Sequence, residues 1–272
     1  MSSTWARDSL RLRHANIFLS SKRKNIMPSF LPLLDWFGTF YPATLNLLRG
    51  DSLNHLGFFN PTYALAPLIP FALLGNDSIY VLFSILAFGL IALRLNFKWW
   101  SILSIVLSPF ILASVKYGNI EWLVLLGLIM PKPIGMIFLL IKPQMTFILV
   151  LYWIYRAYGQ RQVVKLIAPS IIAFGISFLL EPSYITRMLM YANDHNAIAN
   201  FSLFPYGILV SFVLLVLVWK QRKDTFALSA SAFLSPYITL TAWSVTSFQF
   251  VKHKYLALIS LGLQWFVIMR IV

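Results

Sequence analysis

Lys116 to Gln144, KYGNIEWLVLLGLIMPKPIGMIFLLIKPQ, is the stretch whose reading decides the fold. It sets polar and charged residues between apolar runs too short to be ordinary membrane spans. Asn119 and Glu121 open one run, Lys132 stands between two prolines, and Lys142 precedes Pro143 and Gln144 inside an otherwise hydrophobic block. An ionisable group at membrane depth costs about 2.5–3.5 kcal/mol on insertion scales, so it ordinarily serves a site. Lys132 is better read as snorkelling to an interface along its methylene stem. Lys142 is read as functional.

The rest of the chain supplies the setting. Its 272 residues are 59% hydrophobic and only 11% charged, against about 25% charged in a soluble domain, and the mean hydropathy is +0.77. The expectation is an all-α, polytopic helical membrane protein with about eight to ten membrane segments, several of them short. There is no cysteine, and the four histidines show no ligand spacing, so neither a thiolate metal site nor a cofactor is expected. The net charge of +14 comes from basic residues gathered in short loops, which read as topology signals and not as a nucleic-acid surface.

Residues 1–25 form a basic polar segment without an apolar run of spanning length, in which Leu10, Ile17 and Phe18 interleave with arginines as a weakly amphipathic pattern. Residues 26–272 read as a single multi-pass domain with outer-face loops at 26–61 and 181–202. Apolar runs fall near 62–75, 78–95, 99–115, 119–130, 133–141, 144–155, 164–180, 203–219, 226–247 and 255–271. Arg94 with Lys98, Arg156 with Arg161 and Lys165, and Lys220 with Arg222 and Lys223 mark three cytoplasmic turns. That parity requires three short crossings between 119 and 155, with Lys142 and Gln144 near the outer face. Such runs line a protein-walled cavity better than they face lipid. Asp35, Asp51, Asp77, Glu121, Glu181 and Asp194 then fall outside. Lys252, His253 and Lys254 would form a cationic knot on that same outer side, suited to an anionic ligand or equally to lipid head groups.

Four segments, taken in order, resemble the polyprenyl-phosphate-sugar-dependent glycosyltransferases of the GT-C class, in particular glycosyltransferase family 87, the alpha-mannosyltransferase-like proteins. LLDWFGTFYPATLNLLRG at 33–50 is similar to the family's first outer loop, YGNIE at 117–121 to the opening of a span, IKPQ at 141–144 to a Lys-Pro helix start, and LSPY at 234–237 to a Ser-Pro signature in a late span. The family carries an apolar span before the aspartate; residues 1–30 hold none, so the resemblance implies a start that is truncated or divergent. It places Asp35 at the catalytic aspartate and implies a polyprenyl-phosphate-sugar donor, mannose foremost, a lipid or glycan acceptor, and a multi-pass place in the cell membrane among membrane lipids, with a prokaryotic plasma membrane as the expected setting.

The chemistry needs few groups. An acceptor hydroxyl must lose a proton as it attacks the anomeric carbon, and a carboxylate can take it; Asp35 is the first candidate and Asp51 the second. The leaving group is already a phosphate, so it needs cations and no general acid; Lys142, or Lys252 with His253 and Lys254, could supply them. Tyr41, Asn119, Glu121 and Gln144 complete the expected substrate contacts. Each has a plainer reading beside it. Asp35 and Glu121 could cap helices, Asp51 could be a turn residue after Gly50, and Tyr41 could belong to an interfacial belt. Two other functions compete: a transporter or lipid flippase, for which interrupted hydrophobic segments are the usual pointer, and a non-catalytic membrane subunit.

Overall fold

Proline, glycine and asparagine punctuate the apolar sequence, and the helices begin and end where they fall. A computed structural model describes residues 33–53, 58–96, 98–186, 200–249 and 253–271, and every regular element among them is helical. The basic segment 1–25, loop residues 26–32, His55, Arg187, Asp194, His195, Asn196 and Lys252 lie outside the described residues.

A π-helical turn, Trp36–Phe40, runs into α1, Tyr41–Arg49, which Gly50 ends at φ +73. A 3₁₀ helix, Thr62–Leu68, leads into α2, Ile69–Leu74. Asn76 then caps α3, Asp77–Leu95, its side chain accepting from Ser78 N at 3.0 Å. Helices α4, Trp99–Val106, and α5, Pro109–Tyr117, meet at a bend of 53°. The short α6, Glu121–Leu126, and α7, Lys132–Leu139, precede α8, Pro143–Gly159, with proline at its first position. Then come α9, Val163–Leu180, α10, Gly207–Gln221, and α11, Asp224–Leu234. A second 3₁₀ helix, Thr241–Phe248, and α12, Lys254–Ile271, complete the order.

Two of these helices, α3 and α9, are long and apolar enough to cross a membrane, or three if the bent pair α4 and α5 counts as one span. Several of the expected segments are shorter than a membrane crossing needs. Helices α6 and α7 have six and eight residues, about 9 and 12 Å at 1.5 Å per residue. They fold back on each other so tightly that a Cβ on Gly127 would lie 2.6 Å from the Gly135 carbonyl oxygen. The return brings Lys142 to Glu121, so this excursion begins and ends at one place.

The apolar run 226–247, expected as one span, is instead two pieces. Helix α11 stops at Leu234 because Ser235 stands before Pro236, which forces it out of the helical region, at ψ 126. The 3₁₀ helix from Thr241 then returns beside α11, with Ser229 Oγ 3.4 Å from the Val245 carbonyl. Going and returning in this way leaves the chain at the end from which α11 started. Of the expected cationic knot, Lys254 lies with its Nζ 5.5 Å from the Trp99 ring centroid, at the start of α4 beside the basic turn that Lys98 belongs to. Helix α12 runs parallel to α4 from there. Its Gln264 accepts from Ser108 Oγ at 2.7 Å and Trp265 Nε1 donates to the Leu107 carbonyl at 3.0 Å, filling the break between α4 and α5.

Packing around the opposite end is aromatic. Trp36 stacks on Tyr80 with centroids 4.1 Å apart, and Phe71, Phe83 and Trp122 close edge-on around them. Lipid tails are as apolar as these rings, so contact density and not transfer from water holds them, at about 0.5–1.5 kcal/mol per pair.

Candidate functional site

Asp35, Asn119, Glu121 and Lys142 come from three separate breaks in the helical framework and meet in one hydrogen-bonded group. Asp35 stands before the π-helical turn, Asn119 between α5 and α6 with Glu121 opening α6, and Lys142 between α7 and α8. Asn119 donates from Nδ2 to Asp35 Oδ2 at 2.7 Å and accepts at Oδ1 from Lys142 Nζ at 2.6 Å and from Ile120 N at 2.8 Å. Lys142 Nζ also donates to Glu121 Oε1 at 2.7 Å.

Local structure explains why these residues can meet. Gly118 ends α5 at φ +70, and a Cβ there would lie 2.6 Å from Trp36 Cβ, so only glycine lets the 118–121 turn press against the segment carrying Asp35. Leu33 N donates to the Lys116 carbonyl at 3.0 Å, stitching the two segments together. Tyr80 Oη is within 3.0 Å of the Gly118 carbonyl and 2.9 Å of the Asn119 carbonyl, oxygens that the end of α5 would otherwise leave unpaired. Pro143 restricts the residue before it, and Lys142 adopts φ −130, ψ 78 ahead of α8.

Glu121 is wholly buried, and taking two charges out of water costs several kcal/mol per ion unless their remaining bonds are filled. They are filled. Besides Lys142, Glu121 accepts from Ser114 Oγ and from Thr241 Oγ1, each at 2.8 Å. Thr241 is also 3.3 Å from Asn119 Nδ2. Neither hydroxyl was a candidate on sequence grounds. Thr241 lies inside a run that reads as continuous span, and only the break at Ser235-Pro236 turns it into the group.

Asp35 differs from its neighbours in being half-buried and in having a carboxylate oxygen, Oδ1, that no described residue engages. It lies outside the spanning helices. Burial pushes its carboxyl above the usual range; Lys142 pulls it down, Glu121 pushes it up and the Asn119 hydrogen bond pulls it down, the net being upward. A carboxylate raised in this way and open on one oxygen is suited to accept a proton.

The other expected site residues are placed as follows. Gln144 and the Ser235-Pro236-Tyr237 turn line an open pocket of about 310 Å³ with Pro143 and Phe147, so the IKPQ and LSPY segments adjoin. Asn200, at the edge of the 181–202 loop, braces that turn, donating to the Pro236 carbonyl at 3.0 Å and accepting from Ile238 N at 3.1 Å. Tyr41 packs beside Trp36 at 5.8 Å between centroids. Asp51 is exposed in the turn after Gly50, with its backbone N donating to Asn46. Lys142 is buried and turned toward Glu121, not outward. His253 and Lys254 are exposed at the Trp99 end, and the Asp35 group does not include them. Lys116, exposed beside the segment that carries Asp35, is a cation that sequence reasoning passed over.

Comparison with family models, with curated proteins and with solved structures finds no match to this chain.

Proposed function

We propose that this protein is a multi-pass membrane glycosyltransferase of GT-C-like architecture, moving a sugar, mannose foremost, from a polyprenyl-phosphate donor to a lipid or glycan acceptor on the non-cytoplasmic face. The observation that carries this reading is Asp35, half-buried and open at Oδ1, held by Asn119 against a buried Lys142–Glu121 pair. In the reaction Asp35 Oδ1 takes the proton of the acceptor hydroxyl, whose oxygen bonds to the anomeric carbon. The bond from that carbon to the phosphate oxygen breaks, and polyprenyl phosphate leaves with the electron pair. Lys142 acts through Asn119, fixing which face of the amide Asp35 meets. Lys116, exposed on the segment stitched to Leu33, is the cation we assign to the leaving phosphate.

A second reading, a transporter for a lipid-linked substrate, draws on the same set of helices broken around one polar group. Sugar transfer by the purified protein in nanodiscs, given polyprenyl-phosphate-mannose or polyprenyl-phosphate-glucose and a lipid acceptor extract, separates the two. Transfer that Asp35→Asn abolishes while donor binding persists supports the enzyme. A folded wild type that transfers neither sugar overturns it in favour of transport.

A further inference from the structure

A second cavity lies at the far end of the molecule. An open pocket of about 550 Å³ is lined by Tyr152, Tyr155, Arg156 and Tyr158 of α8 and by Trp219 and Arg222 at the end of α10. Fourteen helical residues separate Arg156 from Lys142, about 21 Å at 1.5 Å per residue, so the pocket is distinct from the Asp35 group. Arg161, Lys165, Lys220 and Lys223 surround this end in sequence.

Three features of the pocket point to one kind of ligand. Arg156 and Arg222 arrive from different helices and no carboxylate lines the cavity between them; among the described residues the one ion pair is Lys142–Glu121. Two guanidinium groups sharing a cavity repel each other, and an anion that accepts from both turns the repulsion into charge-assisted hydrogen bonds. Tyr152 contributes ring surface to the wall, and the Arg156 guanidinium lies 5.9 Å from its ring centroid. The pocket's outer wall is aromatic and exposed, with Trp219 at 70% and Tyr158 at 76%, as at the headgroup level of a bilayer. Towards the middle of the same helices Leu151, Phe212 and Val216 are exposed apolar side chains. An anionic head carried on acyl chains would meet both the guanidinium pair and these faces.

We infer that Arg156 and Arg222 form a binding site for the phosphate of an anionic phospholipid, with its acyl chains against the exposed faces of α8 and α10. The site would anchor the ends of α8 and α10, whose rings Tyr155 and Trp219 touch at 5.8 Å between centroids.

Thermal unfolding of the full chain in nanodiscs tests this and does not depend on any transfer activity. Phosphatidylglycerol added to phosphatidylcholine nanodiscs should raise the midpoint by at least about 2 °C through preferential binding to the folded state. Inorganic phosphate added to pure phosphatidylcholine discs should not. Arg156→Gln with Arg222→Gln should weaken the lipid's apparent affinity about tenfold or more. Arg161→Gln with Lys165→Gln, which removes equal charge outside the pocket, should leave it unchanged. Should the pocket pair not fold, Arg156→Lys replaces it, since it keeps the charge and loses the planar fork; the lipid response should still fall. Equal loss in both double variants, no response to phosphatidylglycerol in wild type, or a response to phosphate alone would overturn the assignment.

Discussion

Asn119 Oδ1 sits 2.6 Å from Lys142 Nζ, and this contact dictates which end of the amide meets Asp35. A lysine ammonium has donors only and a carboxylate acceptors only, so the amide oxygen must face Lys142 and its nitrogen Asp35. The buried ion pair is thus wired to the half-buried carboxylate through one side chain. Asn119→Asp breaks the wire, replacing the donor to Asp35 by a third carboxylate. Sugar transfer should fall at least about 100-fold while the protein remains folded, read as initial rates beside circular dichroism.

Asp35 should control the acid side of the rate profile. Its carboxyl is raised by burial above the ordinary 3.8, and the base form exists above its folded pKa, so kcat/KM should fall as pH drops through that raised value. Lys142 pulls the value down. Lys142→Met should therefore move the acid limb to higher pH, measured as kcat/KM against pH.

The same shift makes Asp35 a cost to stability near neutrality. A carboxyl whose folded pKa exceeds its unfolded value favours folding fully below the unfolded pKa and loses that contribution as pH rises through the folded one. Asp35→Asn should be more thermostable than wild type at pH 7, and the difference should vanish as the pH approaches 3.8. Thermal melts across the acid range would show a constant difference instead if the effect were steric.

Glu121 has no exposed surface, so removing its partner strands a charge. Lys142→Met should destabilise by about 3–5 kcal/mol, and adding Glu121→Gln should recover much of it. Denaturant or thermal unfolding of the single and double variants gives the coupling directly. Thr241→Val, which keeps the shape and removes one donor to Glu121, should cost about 1–3 kcal/mol by the same measurement.

Gly118→Ala should damage site and fold together. The added methyl would meet Trp36 Cβ at 2.6 Å in a backbone conformation, φ +70, that alanine rarely adopts. A loss of about 1–3 kcal/mol in stability is expected, accompanied by weaker transfer, because the displaced turn carries Asn119.

Helical composition, the break before Pro143 and the singling out of Asn119, Glu121 and Lys142, which the structure brings together, could all be read from one stretch, because polar residues between short apolar runs are rare and local. What could not be read was partnership. Whether Lys142 faces outward to a ligand or inward to Glu121 depends on how tightly α6 and α7 fold back, and that rests on Gly127 and Gly135, unremarkable in sequence. Thr241 was invisible for a related reason. Hydropathy sees 226–247 as one apolar run, while a single serine before Pro236 halves it and reverses its course. The position of Lys254 followed from that reversal and from nothing nearer in the chain.

The hairpin formed by α11 and the second 3₁₀ helix also draws on what precedes it in the chain. A segment that turns back midway leaves backbone groups at its turning point that a bilayer cannot solvate. Here the turn at 235–238 finds its partners in Asn200, Phe201 and Ser202, and Thr241 finds its own in Glu121. Both sets of partners are synthesised earlier. The returning segment is thereby satisfied by residues that all precede it, from Glu121 to Ser202, and a chain ending before Asp224 would already hold both sets of partners.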